Sequence, residues 1–230
     1  MSKFQNFEQK LSKSYLGILN SSIRKIHHKV IFPCHLGIIF FSNTHNNLFE
    51  KLKTEINIVF DSFFFEIINF EIKNDNSFFI NNLERIIVKG LYKDVFVYPS
   101  NYFYQILSDF KIQNNFNIGL GITSLPIYSS NRTNLIFLYG EAHLRQNCAV
   151  VSSYNLKSNP NSQEDDKIYL RLIKEAIHEI GHIVLGAGHC LSKQCVMSFS
   201  KNIEEIDKKS LKLCPNCQLK LELLRVELNF

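Results

Sequence analysis

Two periods of hydrophobic and polar positions alternate along this chain, and each change of period marks an element. Residues 36–41 (Leu-Gly-Ile-Ile-Phe-Phe) form a nearly continuous apolar run, the pattern of a strand buried on both faces. Residues 46–57 follow at helical spacing, with Leu48, Leu52 and Ile56 one turn apart. Residues 63–72, rich in Phe and Ile, predict a second strand, and Asn74-Asp75-Asn76-Ser77 predicts a turn after it. Residues 78–98 carry no pattern that separates strand from helix. After Pro99, Ser100 is placed to cap a helix running to Phe110, and strand character returns at 118–123, 135–139 and 149–153. Strands alternating with helices predict an α/β sandwich, a sheet laid on the last and longest helix.

That helix covers 166–185, entered through a loop at 155–166 with Asp165 or Asp166 as its N-cap. At about 100° per residue, Ile168, Tyr169, Leu172, Ile173, Ala176, Ile177, Ile180, Ile183 and Val184 share one broad face. His178 and His182 fall on the opposite stripe, beside Arg171, Lys174 and Glu175. Two histidines four apart stand one turn above each other and can reach a single tetrahedral zinc, while Glu179 between them stands beside the metal. This His-Glu-x-x-His spacing is that of zinc peptidases. Gly186-Ala187-Gly188 can end the helix and turn the chain back, which offers His189 as a third ligand.

Composition narrows the setting. The chain has 230 residues, 45% hydrophobic and 20% charged, with a formal net charge of +5. That is enough to bury one sizeable core, and neither a Gly/Ser- or Pro-rich linker nor an internal repeat divides it. We expect a polar lead-in at 1–29 and a single catalytic domain at 30–230. Scattered Lys and Arg argue against a nucleic-acid surface. The longest apolar stretch, 56–65, is interrupted by Asn57, Asp61 and Ser62 and is too short to span a membrane. Residues 1–29 lack the apolar segment of a secretory signal, so a cytoplasmic setting, with no membrane association, is the expectation.

Thiols in that compartment stay reduced, which favours metal ligation over disulfides for the six cysteines. Cys190 and Cys195 follow the helix, and Cys214-Pro215-Asn216-Cys217 is a knuckle whose thiolates can share one metal. Together they predict a four-cysteine structural zinc site in segment 190–224. Cys34 and Cys148 stand alone and are expected to be buried free thiols.

These motifs taken together resemble the archaemetzincins, a branch of the metzincin zinc peptidases. The match comprises His178-Glu179-x-x-His182, Gly186, His189-Cys190, Cys195-Val196-Met197 and Cys214-x-x-Cys217, along with 135–142 (Leu-Ile-Phe-Leu-Tyr-Gly-Glu-Ala) and 150–153 upstream. It runs from about residue 33 to about residue 224. The resemblance implies a metzincin-like mixed sheet packed on helices, with a C-terminal helical segment stapled by the four-cysteine zinc. It further implies that His178, His182 and His189 bind a catalytic zinc, that Glu179 is the general base, that Met197 is the methionine beneath the metal, and that Cys190, Cys195, Cys214 and Cys217 hold the structural zinc. Two zinc ions per chain, a peptide or protein substrate and a monomeric state follow as expectations.

Two spacings depart from the family pattern. The family glycine and third histidine stand three and six positions after the second ligand, whereas Gly186 and His189 stand four and seven after His182. The interval from Met197 to Cys214 is one residue shorter. An extra residue would rotate a helix end by about 100°, so the turn at 186–188 must absorb it. The competing reading is a zinc-stabilised, non-catalytic peptide-binding protein that keeps the cysteine site and has lost the third ligand; retention of Glu179, which a structural zinc does not use, weighs for the enzyme.

Overall fold

The computed structural model describes residues 30–41, 46–72, 85–89, 94–130, 137–157, 165–186 and 188–230. The lead-in at 1–29, the turn at 74–77, Leu135, Ile136 and Ala187 lie outside them. Among the described residues, a five-stranded sheet has the order β2-β1-β5-β8-β7, made of β1 (Cys34–Phe40), β2 (Phe64–Glu71), β5 (Ile118–Thr123), β7 (Gly140–His143) and β8 (Cys148–Ser152). The first four in that order run parallel, and β7 pairs antiparallel with β8 at the end of the sheet. A second small sheet joins β3 (Ile86–Val88), β4 (Val95–Pro99) and β6 (Ile127–Tyr128). Two of its strands come from 78–98, where the sequence pattern was ambiguous.

The sheet is covered on both faces, and its strands show why. Ala149 and Val151 of β8 join Leu36, Ile38 and Phe40 of β1 in a core shared with α1 (Asn46–Val59) and α3 (Asp165–Leu185). Cys148 and Val150 point the other way, onto Phe103, Tyr104 and Leu107 of α2 (Ser100–Asn114). The period-two alternation thus divides one strand between two cores. On the α2 side β5 offers Gly119 and Gly121; a Cβ on Gly121 would lie 2.8 Å from the Phe41 ring.

Most expected elements stand within two residues of their sequence-derived bounds. Of the strand expected at 135–139, the described residues 137–139 hold an isolated bridge from Leu138 to Ile127, and a paired strand, β7, follows them. Ser100 is not a cap. Pro99 occupies the N-cap position without a side-chain bond, and the Ser100 hydroxyl donates instead to Glu141 Oε2 at 2.5 Å. Asp166 lies inside the first turn of α3 and pairs with Lys51 at 3.7 Å, and a 3₁₀ turn at Tyr154–Leu156 overlaps the start of the loop expected at 155–166.

The polar stripe of α3 is not a water-facing one. Arg171, Lys174, Glu175, His178 and Glu179 are all buried, because α4 (Ile203–Lys208) and β7 close over that side. Arg171, Lys174 and Glu175 each have partners. Arg171 grips Asp207 through Nε and Nη2, both at 2.7 Å, and donates Nη1 to the Leu156 carbonyl. Lys174 donates to the carbonyls of Ile206 and Asp207, the exposed acceptors at the end of α4. Glu175 accepts from Lys209 Nζ at 3.1 Å. The last helix, α5 (Pro215–Leu228), starts from Cys214 with proline at its first position, where a missing N–H costs nothing.

Candidate metal centres and active site

The helical spacing of His178 and His182 brings their Nε2 atoms to 3.1 Å. The chain leaves α3 through Gly186, whose φ of 56° is the left-handed turn that glycine enters without a side-chain clash. Its N–H still donates to the His182 carbonyl at 3.0 Å, so the helix closes properly before the chain reverses. His189 returns to the same place: one ligand atom from each of the three histidines lies within 4.8 Å of the others. The extra residue thus lies between His182 and Gly186, where the helix runs on to Leu185, and it does not keep the His189 imidazole from the other two.

The tautomer of His178 follows from its neighbour. Nδ1 lies 2.8 Å from the Val196 carbonyl, which only accepts, so Nδ1 carries the proton and Nε2 keeps its lone pair. Burial, then the neighbouring His182, holds the His178 imidazole well below its ordinary pKa and in the neutral form that ligates metal. Two nitrogens on one tetrahedral zinc, each about 2.0–2.1 Å from it, stand roughly 3.3 Å apart. The observed 3.1 Å separation of two Nε2 atoms fits that arrangement.

Met197 lies beneath this site against α3. A Cβ on Gly181, between the two helical histidines, would come within 2.3 Å of Met197 Sδ. The glycine of the His-Glu-x-Gly-His run is thus the seat of the methionine, and Val196, next to it, orients His178. Glu179 is also buried, with Gly140 of β7 against it: a Cβ there would lie 2.9 Å from Glu179 Cγ and 3.0 Å from Oε1. Burial, then the nearby carboxylates of Glu175 and Glu141, raises the Glu179 carboxyl well above its usual range. No hydrogen bond to its carboxylate exists among the described residues. A cavity of about 290 Å³ opens over Glu179, His178 and His189, with Tyr139, Glu175 and Phe199 in its walls.

The four cysteines form a second cluster with every Sγ within 4.8 Å of the rest. Cys190 and Cys214 approach to 3.5 Å, near the roughly 3.8 Å expected of two thiolates on one zinc. Cys195 is drawn down to about 5, first by the Cys217 thiol and then by backbone N–H groups such as that of Cys214, whose amide lies 3.3 Å from the sulfur. A thiolate suits a metal site and not a buried apolar thiol. Cys34 and Cys148 stay apart and buried, and burial pushes the Cys34 thiol up to about 12.

The sequence reading missed three contributors. Glu141 accepts from the hydroxyls of Ser100 and Ser129, both at 2.5 Å, and of Tyr104 at 3.1 Å, which ties β7 to the start of α2. Glu175 with Lys209, and Gly140, are the other two. Glu175 sits one helical turn before Glu179 on the same stripe, a signal present in the sequence; the rest are long-range contacts.

A family model described as peptidase family M54 matches residues 82–223, more than half of the chain. The chain belongs to this family. Among similar proteins, the archaemetzincin of Methanocaldococcus jannaschii is 43% identical over 111 residues, covering 46% of this chain and 58% of that protein. The archaemetzincin of Pyrococcus horikoshii is 38% identical over 125 residues, 54% of this chain and 64% of that protein. The aligned stretch is thus shorter than two thirds of either relative. The crystal structure of archaemetzincin from Methanopyrus kandleri has a TM-score of 0.62 at 23% identity, covering 85% of this chain and 96% of that one. The Archaeoglobus fulgidus archaemetzincin complexed with malonate has a TM-score of 0.54 at 25% identity, covering 81% and 99%. The M54 chain accordingly shares the archaemetzincin fold, a mixed sheet on helices with a C-terminal four-cysteine cluster.

Proposed function

We propose that this chain is a zinc-dependent peptidase with two zinc ions, one held by His178, His182 and His189 and one by Cys190, Cys195, Cys214 and Cys217, in a single domain spanning 30–230. One observation carries the reading: ligand atoms of three imidazoles lie within 4.8 Å of one another, and two of those imidazoles, His178 and His189, line one cavity with the carboxylate of Glu179, the donor set of a zinc with a coordination position left for substrate or water. Zinc in that site supplies a Lewis acid that acidifies water and polarises a carbonyl. Glu179 takes the proton from the attacking water and later delivers it to the departing amine. Its raised affinity for protons suits both steps, because the same group must first accept and then release. Val196 keeps His178 in its ligating tautomer. Strand β7 ends the sheet beside Glu179, and an extended peptide laid along it by β-augmentation would bring its scissile bond over the three histidines. The four-cysteine zinc supplies folding energy and fixes the segment that carries Val196 and Met197.

The test is hydrolysis of internally quenched peptides by the zinc-loaded chain. Cleavage is expected to stop with 1,10-phenanthroline, return with added zinc, and fall by about 10²–10⁴-fold in Glu179→Gln while both zinc ions stay bound. Cleavage at the wild-type rate by Glu179→Gln would refute the assignment of the base.

A further inference from the structure

The cavity over the histidines has a second buried carboxylate that the proposed chemistry does not use. Glu175 is 4% exposed and Phe199, another lining residue, is 45% exposed, so the carboxylate belongs to the buried part of the lining. Its Oε1 accepts from Lys209 Nζ at 3.1 Å. Its other oxygen makes no hydrogen bond among the described residues, yet it is not sealed from solvent. Lys209 stands behind, with a side chain 1% exposed, and is not part of the cavity wall. What the cavity offers is therefore one Glu175 oxygen without a hydrogen bond, Glu179 one turn further along, apolar walls from Phe137, Leu138, Tyr139 and Phe199, and the half-buried Ser200 and exposed Lys201 in the rest of its lining.

A long aliphatic stem with a cationic head matches that surface from top to bottom. The stem covers aromatic and aliphatic walls, and the head reaches the carboxylate. A carboxylate accepts at about four lone-pair positions, so Glu175 can serve Lys209 and an incoming guanidinium or ammonium together. An acidic side chain would instead meet Glu175 and Glu179 in a poorly solvated space. An uncharged side chain would leave the free oxygen without a donor.

We infer that this cavity selects an arginine or lysine side chain of the substrate beside the scissile bond, with Glu175 as the specificity-determining carboxylate, an inference that rests on the peptidase reading above. Lys209 is a positioning residue that fixes one oxygen of Glu175 and leaves the other facing the cavity.

The experiment is calorimetric titration of the zinc-loaded wild-type chain with arginine hydroxamate and citrulline hydroxamate. The two probes have nearly the same shape and differ in charge, and the hydroxamate anchors each at the metal. Arginine hydroxamate is expected to bind about tenfold more tightly, the scale of one charge-assisted hydrogen bond. In Glu175→Gln the preference is expected to fall below about threefold, and the conservative Glu175→Asp to retain part of it. Equal affinities in the wild-type chain would overturn the pocket assignment without touching the peptidase reading. Failure of both hydroxamates to bind the zinc-loaded chain would overturn the peptidase reading, and this inference with it.

Discussion

Replacing Gly140 by alanine tests how closely β7 holds Glu179. Gly140 is not in the left-handed region, so an alanine suits its backbone and the perturbation is the methyl alone. That methyl would sit 2.9 Å from Glu179 Cγ, 3.0 Å from Oε1 and 3.2 Å from Cδ. Ordinary carbon–carbon contact is about 3.5–4.0 Å, so the Glu179 side chain must retreat by roughly 0.6–1 Å or β7 must lift by as much. Cγ is too near the helix to swing aside as a free end would, so the carboxylate that lines the cavity must move with it. A displacement of about 1 Å at a reacting group lowers rates by roughly 10²-fold, or about 2.7 kcal/mol of activation energy. Overpacking adds roughly 1–3 kcal/mol of destabilisation. Steady-state cleavage of a quenched peptide, thermal unfolding and zinc content measured on the same preparation separate the effects. Gly140→Ala should lose about a hundredfold in kcat/KM with both zinc ions retained and a lowered Tm. A kcat/KM within threefold of wild type would refute the claim that β7 positions the base.

Three further outcomes follow from other contacts. Glu141→Leu strands the hydroxyls of Ser100, Ser129 and Tyr104, and urea unfolding should register a loss of roughly 3 kcal/mol; a loss under 0.5 kcal/mol would show that the hydroxyls find other partners. The Arg171 hydrogen bond and charge hold the Asp207 carboxyl below its usual range, so its stabilisation is fully present above the unfolded value of about 3.9 and is lost as pH falls through the lower folded value. Asp207→Asn should therefore cost at most about 1 kcal/mol near neutrality, because Asp207 is half exposed, and the gap to wild type should close below about pH 4; a gap that widens on acidification would contradict the pairing. Cys214→Ser should remove one zinc from the native mass spectrum and lower Tm sharply, and an unchanged zinc count and Tm would rule out the four-cysteine site.

The helix that carries the chemistry was legible because its signals are local: a 3.6-residue apolar period, histidines four apart, and glycines after the last turn. The cysteine cluster was legible for the same reason at each end, although only folding places Cys190 beside Cys214. What escaped the sequence is long-range. Ser100 has the type and position of a cap, but a carboxylate 41 residues away outcompetes the backbone amides of its own helix. The polar stripe of α3 reads as a solvated face until β7 and α4 cover it and supply Asp207, Lys209 and carbonyl acceptors. Past the described part of the strand expected at 135–139, pairing with β8 and not apolar composition sets where β7 runs.

The central claim is that His178, His182 and His189 hold a metal beside Glu179 despite the extra residue in the turn. Anomalous difference density at the zinc absorption edge, from crystals of the zinc-loaded chain, tests it most directly. Two peaks per chain are expected, one among the four sulfurs and one within bonding distance of all three imidazoles. A single peak at the cysteines, with none at the histidines, would contradict the account.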